Sequence, residues 1–161
     1  MCKYFDILDK YFYEFGLKKK EKLSQLHDIY EYYNSKINLI SRKDFENFYL
    51  HHVIHSLTLC KFIENKKLNI LDLGTGGGFP GIPLSIFYEK NSFLLVDSIS
   101  KKIKVLNQII KKLNLNHVKT LNGRVEKVND KQDIIVCRAV TSIPNIICLL
   151  YTSPSPRDIT P

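Results

Sequence analysis

Apolar positions recur along this chain with two different periods. Leu23, Leu26, Tyr30 and Tyr33 follow at steps of three and four, which sets them on one helical face. A second stretch, from about Asp44 to Phe62, carries Phe45, Phe48, Val53, Leu57 and Leu59 among polar residues with few turn formers. Residues 1–66 therefore read as a helical segment. From Asn69 the pattern changes. Asn69-Ile-Leu-Asp-Leu73 is a short apolar run that stops at glycine, and Ser92-Phe-Leu-Leu-Val96 repeats it and stops at Asp97. Both read as buried strands. Between them, Ile82–Tyr88 is long enough for a two-turn helix, with Pro83 tolerated in its first turn. Lys101–Leu113 puts Ile103, Leu106, Ile110 and Leu113 on one stripe, with Lys101, Lys104, Lys111 and Lys112 mostly opposite. Val118–Leu121 and Asp133–Cys137 read as two more strands, and Ile143–Leu150 as a further helix.

Strands alternating with helices predict an α/β fold with a parallel sheet and right-handed crossovers. Three parts are expected: the helical segment 1–66, a wound core over 67–150, and a tail over 151–161. The tail holds three of the six prolines and cannot continue the preceding helix, so it reads as disordered linker or a sequence of foreign origin. Only four strands precede it, and an open edge with exposed apolar surface is expected around Ile134–Leu150.

A length of 161 residues suits one domain, and 44% hydrophobic with 25% charged residues is ordinary globular composition. The N-terminus mixes acidic and aromatic residues and lacks a small-residue cleavage site, unlike a secretory signal. No apolar run approaches the length of a membrane span. Cys2, Cys60, Cys137 and Cys148 show neither zinc spacing nor a disulfide framework, and read as reduced thiols of a cytoplasmic protein. The net charge of +8 favours phosphate-bearing partners, and its position matters more than its size. Residues 1–66 nearly balance, with eleven basic against nine acidic side chains. Between Ser98 and Val125 stand Lys101, Lys102, Lys104, Lys111, Lys112, Lys119 and Arg124 with no acidic residue. That block is either a solvated helix face or a patch for nucleic-acid phosphates.

The densest chemical signal is Asp72-Leu-Gly74-Thr-Gly76-Gly77-Gly78-Phe79-Pro80-Gly81, which follows a strand and opens a helix. Glycines admit positive φ and let a ligand approach the main chain. The helix N-terminus offers free N–H groups to a negative group. A P-loop is excluded, because no Gly-Lys-Ser/Thr follows. Gly76-x-Gly78-x-x-Gly81 matches the dinucleotide fingerprint, but its first glycine comes three residues after Leu73. The strand-end carboxylate of Asp72 repels a pyrophosphate and suits a ligand carrying positive charge, such as S-adenosylmethionine. Asp97, 23 residues after Gly74, stands near the spacing of a ribose-binding acid, and a helix N-cap is its other reading. His51, His52 and His55 share a helical face, but no Glu, Cys or Asp stands at ligand spacing. Surface or pocket-lining histidines are expected there, and no metal.

These motifs resemble those of the bacterial small-subunit ribosomal RNA methyltransferase G family. Gly78-Phe-Pro-Gly-Ile-Pro83 within the glycine run is its most specific element. Asn38-Leu-Ile-Ser41, His52-Val-Ile-His55-Ser56, Val96-Asp97-Ser98 with Lys101-Lys102, Arg124-Val125-Glu126 and Arg138-Ala139 resemble further family segments. The resemblance runs from about Lys3 to Leu150. It implies a Rossmann-like class I methyltransferase that uses S-adenosylmethionine to methylate N7 of a guanine in 16S ribosomal RNA, as a cytoplasmic monomer acting on RNA or a small-subunit precursor. It also implies that Gly74, Gly76 and Phe79 touch the cofactor and that Asp97 holds its ribose. Val125 and Glu126 would border the adenine, and Arg138, at the mouth of the site, would bind the cofactor and help position the substrate; the seven strands of class I methyltransferases, against four legible here, imply that the sheet is incomplete. His51 stands where the family often has Arg and His55 where it often has Asp, which leaves the His-x-x-Asp role open. A small-molecule methyltransferase and an inactive cofactor-binding fragment are the alternatives.

Overall fold

The computed structural model describes residues 8, 10, 12, 16–64, 66–124, 128 and 130–138. The expected helix Ile143–Leu150 and the tail from Tyr151 lie outside them. Two helices, α1 (Leu17–Ser24) and α2 (Leu26–Asn34), run nearly end to end. Their expected face is the one that packs: Leu23, Leu26 and Tyr30 have no exposed surface, and Tyr33 lies at the margin. After a turn and the short α3 (Arg42–Phe45), the stretch expected to be helical changes its winding. Tyr49–Ile54 is a π-helix in which the His55 N–H reaches the Leu50 carbonyl, and it passes into α4 (His55–Leu57) and a 3-10 turn at Thr58–Lys61. Phe48, Val53 and Leu57 are buried there as the apolar pattern requires.

The second half is a wound α/β unit: β1 (Asn69–Leu73), α5 (Gly81–Phe87), β2 (Ser92–Asp97), α6 (Ser100–Lys112), β3 (Val118–Asn122) and β4 (Ile134–Cys137). The strands form a parallel sheet in the order β3-β2-β1-β4, with Leu71 opposite Leu94 and Ile135. Alternation along each strand divides the apolar residues between two faces. Ile70, Phe93, Leu95, Val118 and Val136 join the helices in one large core, while Leu71, Leu73 and Val96 form a second cluster on the opposite face. The large core runs unbroken from Leu8 and Leu23 to Val136, so the helical segment and the wound unit share it. On α6 the buried stripe is wider than expected: Val105 and Ile109 are buried, and Ile110 is only partly so. The helix packs on both β2 and β3, which calls for a broad apolar face. At the described edge of the sheet, Ile135 is 36% exposed.

The chain passes from β1 to β2 to β3 in one direction and returns to place β4 on the other side of β1. The carboxyl ends of β1 and β4 are therefore a topological switch point, where open parallel sheets bind ligands. One side chain braces the approach to it. Asn34 accepts the N–H groups of Leu39 (2.8 Å) and Ile40 (3.0 Å) and donates to the Ile40 carbonyl (3.0 Å). That turn lies against Gly77, where an added Cβ would stand 2.9 Å from the Leu39 carbonyl oxygen. Asn34→Ala removes three hydrogen bonds and is expected to cost about 2 kcal/mol in urea unfolding. Asn34→Asp keeps the two acceptor bonds and should lose less.

Candidate functional site at the switch point

β1 ends with Asp72 fully buried, and its carboxylate organises the turn that follows. Oδ2 accepts the Thr75 hydroxyl at 2.7 Å and the Gly81 N–H at 2.8 Å. Oδ1 has no partner among the described residues. The approach of Asp72 requires glycine at 81, since a Cβ there would meet the Asp72 Oδ2 and the Leu95 side chain. Gly74, Gly76 and Gly78 have φ of 66°, 58° and 94°. Gly78 is doubly constrained, because a Cβ would stand 2.8 Å from Ile82, Leu106 and the Tyr30 hydroxyl. Gly76 differs: among the described residues, nothing but the Gly74 carbonyl oxygen comes within 4 Å of its missing Cβ, which leaves this part of the turn open to an approaching group.

Asp97, at the end of β2, faces the same turn. Its Oδ2 accepts the Gly76 N–H and its Oδ1 the Ile99 N–H, both at 2.8 Å, while its main-chain carbonyl accepts the Gly123 N–H and the Asn122 side chain. The Ile99 bond closes a turn before α6 and is not a helix cap, since Ile99 holds the N-cap position and no side chain caps the helix; Asp97 instead ties the loops after β1, β2 and β3 together. Each carboxylate oxygen keeps lone-pair capacity beyond these bonds. Burial pushes the Asp72 carboxyl up to about 6, against the pull of the Thr75 and Gly81 hydrogen bonds and the Arg138 charge.

Arg138 follows β4 directly and lies beside this turn. Its Nη1 donates to the His51 carbonyl (3.1 Å) and its Nη2 meets His52 Nδ1 (2.9 Å). The guanidinium sits 5.6 Å from the centre of the Phe79 ring. Phe79 is 2% exposed and packs against Tyr30, Phe48 and His52 at 5.0–5.9 Å, so its ring belongs to the core and its main chain to the turn. His52 is buried and held neutral, its pKa pushed down to about 4 by desolvation and then by the Arg138 charge. His51 and His55 are exposed, and His51 lies 3.4 Å from Asp44. The three histidines do not converge as ligands. Among the described residues, the three-residue group with ligand atoms mutually within 4.8 Å is His27, Asp28 and Glu31, mostly exposed.

The turn, Asp72, Asp97 and Arg138 are therefore brought together, whereas Val125 and Glu126 lie outside the described residues. Of the basic block, Lys101, Lys104, Lys111, Lys112, Lys119 and Arg124 are exposed and Lys102 partly so, and none pairs with a carboxylate among the described residues. Lys119 departs from the rest, since it lines a cleft of about 520 Å³ at the amino ends of the strands, with Asn69, Ser92 and His117. That cleft is at the wrong end of the sheet for the switch point. Sequence reasoning missed Tyr30, whose buried hydroxyl donates to the Gly77 carbonyl at 2.7 Å. The available signal was a tyrosine on an apolar helix face, because a buried phenol needs a partner.

A sequence profile of the family described as rRNA small subunit methyltransferase G matches residues 19–158. The match continues eight residues past Leu150, beyond the limit that the motifs suggested. A relative from Porphyromonas gingivalis, named ribosomal RNA small subunit methyltransferase G, is 46% identical over 142 residues, covering 88% of this chain and 64% of that protein. One of the same name from Bacteroides thetaiotaomicron is 40% identical over 153 residues, covering 94% and 74%. The chain thus spans about two thirds of the length of these relatives. Among solved structures, TYW2 of M. jannaschii in complex with AdoMet is similar at TM-score 0.54 and 19% identity, over 64% of this chain and 48% of that one. A SAM-dependent methyltransferase from Aquifex aeolicus is similar at 0.50 and 22%, over 63% and 58%. The fold is the Rossmann-like class I methyltransferase fold.

Asp72 and His52 give stability opposite pH dependences. The unfolded Asp72 carboxyl loses its proton near 3.8 and the folded one near 6, so its contribution is lost as pH rises between those values. Unfolded His52 gains a proton near 6.5 and folded His52 near 4, so its contribution is lost as pH falls through that window. The two largely cancel. In Asp72→Asn the cancellation is removed, and stability should fall more steeply with acid than in the parent. The difference between the two proteins should change by roughly 3 kcal/mol between pH 7 and pH 4 in urea titrations. Parallel pH profiles would refute the assignment.

Proposed function

This chain belongs to the rRNA small subunit methyltransferase G family, and from that premise we propose that it transfers a methyl group from S-adenosylmethionine to N7 of a guanine in 16S ribosomal RNA. The observation that carries the reading is the pair of strand-end carboxylates, Asp72 and Asp97, gathered around a glycine turn with an open face at Gly76. Two carboxylates favour a ligand with positive charge over a pyrophosphate. The residues fit this cofactor: Asp72 has one buried oxygen with no partner among the described residues, and Asp97 retains acceptor capacity toward a ribose hydroxyl. Gly74, Gly76 and the Phe79 main chain would line the cofactor, with Val125 and Glu126 beside the adenine. S-adenosylmethionine, when bound, supplies a methyl group on a positively charged sulfur.

Guanine N7 carries a free lone pair and no proton, so the chain has no base to supply. Its task is alignment of N7 with the methyl group, in line with the departing sulfur. Arg138 is assigned to the cofactor and to positioning of the substrate, because a cation does not stabilise the guanine that gains positive charge. The exposed lysines of α6 concentrate RNA near the switch point. The chain is assigned to the cytoplasm as a monomer; no helix among the described residues is long and apolar enough to cross a membrane.

Incubation with labelled S-adenosylmethionine and 16S RNA should yield label that digests to 7-methylguanosine. Transfer to metabolites instead of RNA supports the small-molecule alternative, and S-adenosylhomocysteine binding without any transfer supports an inactive fragment. Saturable NAD binding with no homocysteine-analogue binding overturns the cofactor assignment. Replacing Lys101, Lys104 and Lys111 together by Ala should weaken RNA binding and lower the slope of log affinity against log salt by about one for each phosphate no longer neutralised. An unchanged slope would mean that α6 is only a solvated face.

A further inference from the structure

The cleft of about 520 Å³ at the amino ends of the strands takes no part in the proposed methyl transfer. Its volume suits a ligand of nucleotide size, since small-molecule sites run from about 300 to 1,000 Å³. Lys119 and Lys131 line it, both exposed and neither paired with a carboxylate among the described residues. Leu94, half-buried on the second face of the sheet, gives it an apolar wall, and Asn116 brings a side-chain amide. The walls are fixed by hydrogen bonds. His117 Nε2 donates to the Ser85 carbonyl at 2.9 Å, Gln132 Nε2 to the Asp130 carbonyl at 2.9 Å, and the Asn69 N–H to Asp133 at 2.8 Å. One further carboxylate, that of Asp130, shares the cleft with the two lysines. That balance matches a single phosphate joined to a neutral part that carries N–H donors. A nucleotide has this composition. A pyrophosphate would be repelled by Asp130 and has no donor to offer it.

The approach to the cleft is charged as well. α6 runs back from the carboxyl end of β2 to the amino end of β3, and its thirteen residues cover roughly 20 Å. Lys101 and Lys104 stand near its start and Lys111 and Lys112 at its end, and Lys119 follows on β3. No acidic residue interrupts this series from Ser98 to Val125. The cations therefore join the switch point to the cleft at the other end of the sheet.

We propose that the cleft holds one unpaired nucleotide of the RNA strand, its phosphate on Lys119 and Lys131 and its base edge on Asp130 and Asn116. This rests on the assignment of the α6 lysines to RNA and deepens it. The strand is gripped at both ends of the sheet, so the cleft sets the reach to the glycine turn. A paired base has its edge occupied and is refused.

NMR of the chain saturated with S-adenosylhomocysteine, which keeps a mononucleotide out of the glycine turn, tests the site itself. Guanosine 5′-monophosphate, whose base offers N–H donors to Asp130, should shift the resonances of Asn116, Lys119 and Lys131. Guanosine alone and inorganic phosphate alone should each bind there at least about tenfold more weakly. Shifts confined to the glycine turn, or an equal response to inorganic phosphate, overturn the site. Binding of a 16S fragment tests its occupant. Lys119→Ala with Lys131→Ala should weaken it about tenfold and lower the slope of log affinity against log salt by about one, with S-adenosylhomocysteine affinity unchanged. Tight binding of the free nucleotide beside unchanged RNA affinity makes the cleft a site for a soluble nucleotide and overturns the RNA assignment. Label transfer separates the two levels. A chain that methylates RNA equally well, at equal KM, with and without the two lysines refutes the cleft alone, and a chain that binds no RNA refutes both readings.

Discussion

A carboxylate with no exposed surface sets the geometry of this molecule's functional end. Asp72 stands one residue before the end of an inner strand, and its Oδ2 is shared by a hydroxyl and a main-chain N–H from the turn that follows. Burying that charge opposes folding, which is why the carboxyl titrates near 6. The surroundings are arranged to tolerate it. Gly81 lacks the Cβ that would push the carboxylate aside, Thr75 brings a donor within three residues, and the Arg138 charge favours the ionised form. Remove the carboxylate and the turn has no anchor for the N-terminus of α5.

The second support comes from outside the wound unit. Tyr30, Phe48, Phe79 and His52 form one aromatic cluster that joins the helical segment to the turn. Two of its polar atoms have specific partners, the Tyr30 hydroxyl on the Gly77 carbonyl and His52 Nδ1 on Arg138, while His52 Nε2 is buried with no partner among the described residues. The helical segment is thus a wall of the site. This explains why its core is continuous with that of the sheet, and why the turn held by Asn34 lies against Gly77.

The local features of the chain were legible in its sequence. The change of period at Asn69 marks the passage from helices to parallel strands, and all four strands lie within one residue of their apolar runs at each end. The glycine turn was legible because positive φ and crowding both demand glycine. What was hidden depends on contacts between distant positions. Tyr30 with Gly77, and His52 with Arg138, are separated by 47 and 86 residues, and no spacing rule connects them. Asp97 was legible as an acid at a strand end, but its engagement of the Gly76 N–H follows from sheet order, which period alone does not fix. The π-helical turn was hidden for a related reason: its apolar residues suit an ordinary helix equally well.

The distribution of charge around the switch point has a further consequence under the proposed reaction. Two carboxylates and Arg138 lie at the glycine turn, whereas the exposed lysines of α6 carry the charge assigned to RNA. Before transfer, positive charge resides on sulfur, near Asp72 and Asp97, where it is stabilised. After transfer it resides on the guanine ring, in a field set by cations. The carboxylates then face a neutral sulfur in place of the charge they favoured. The lysines of α6 face a base that has become cationic, although they still attract the phosphates around it. Both products are thereby held less firmly than the substrates, by the same separation of sign that brings the substrates together. A catalytic carboxylate beside the guanine would reverse half of this arrangement by retaining the methylated base.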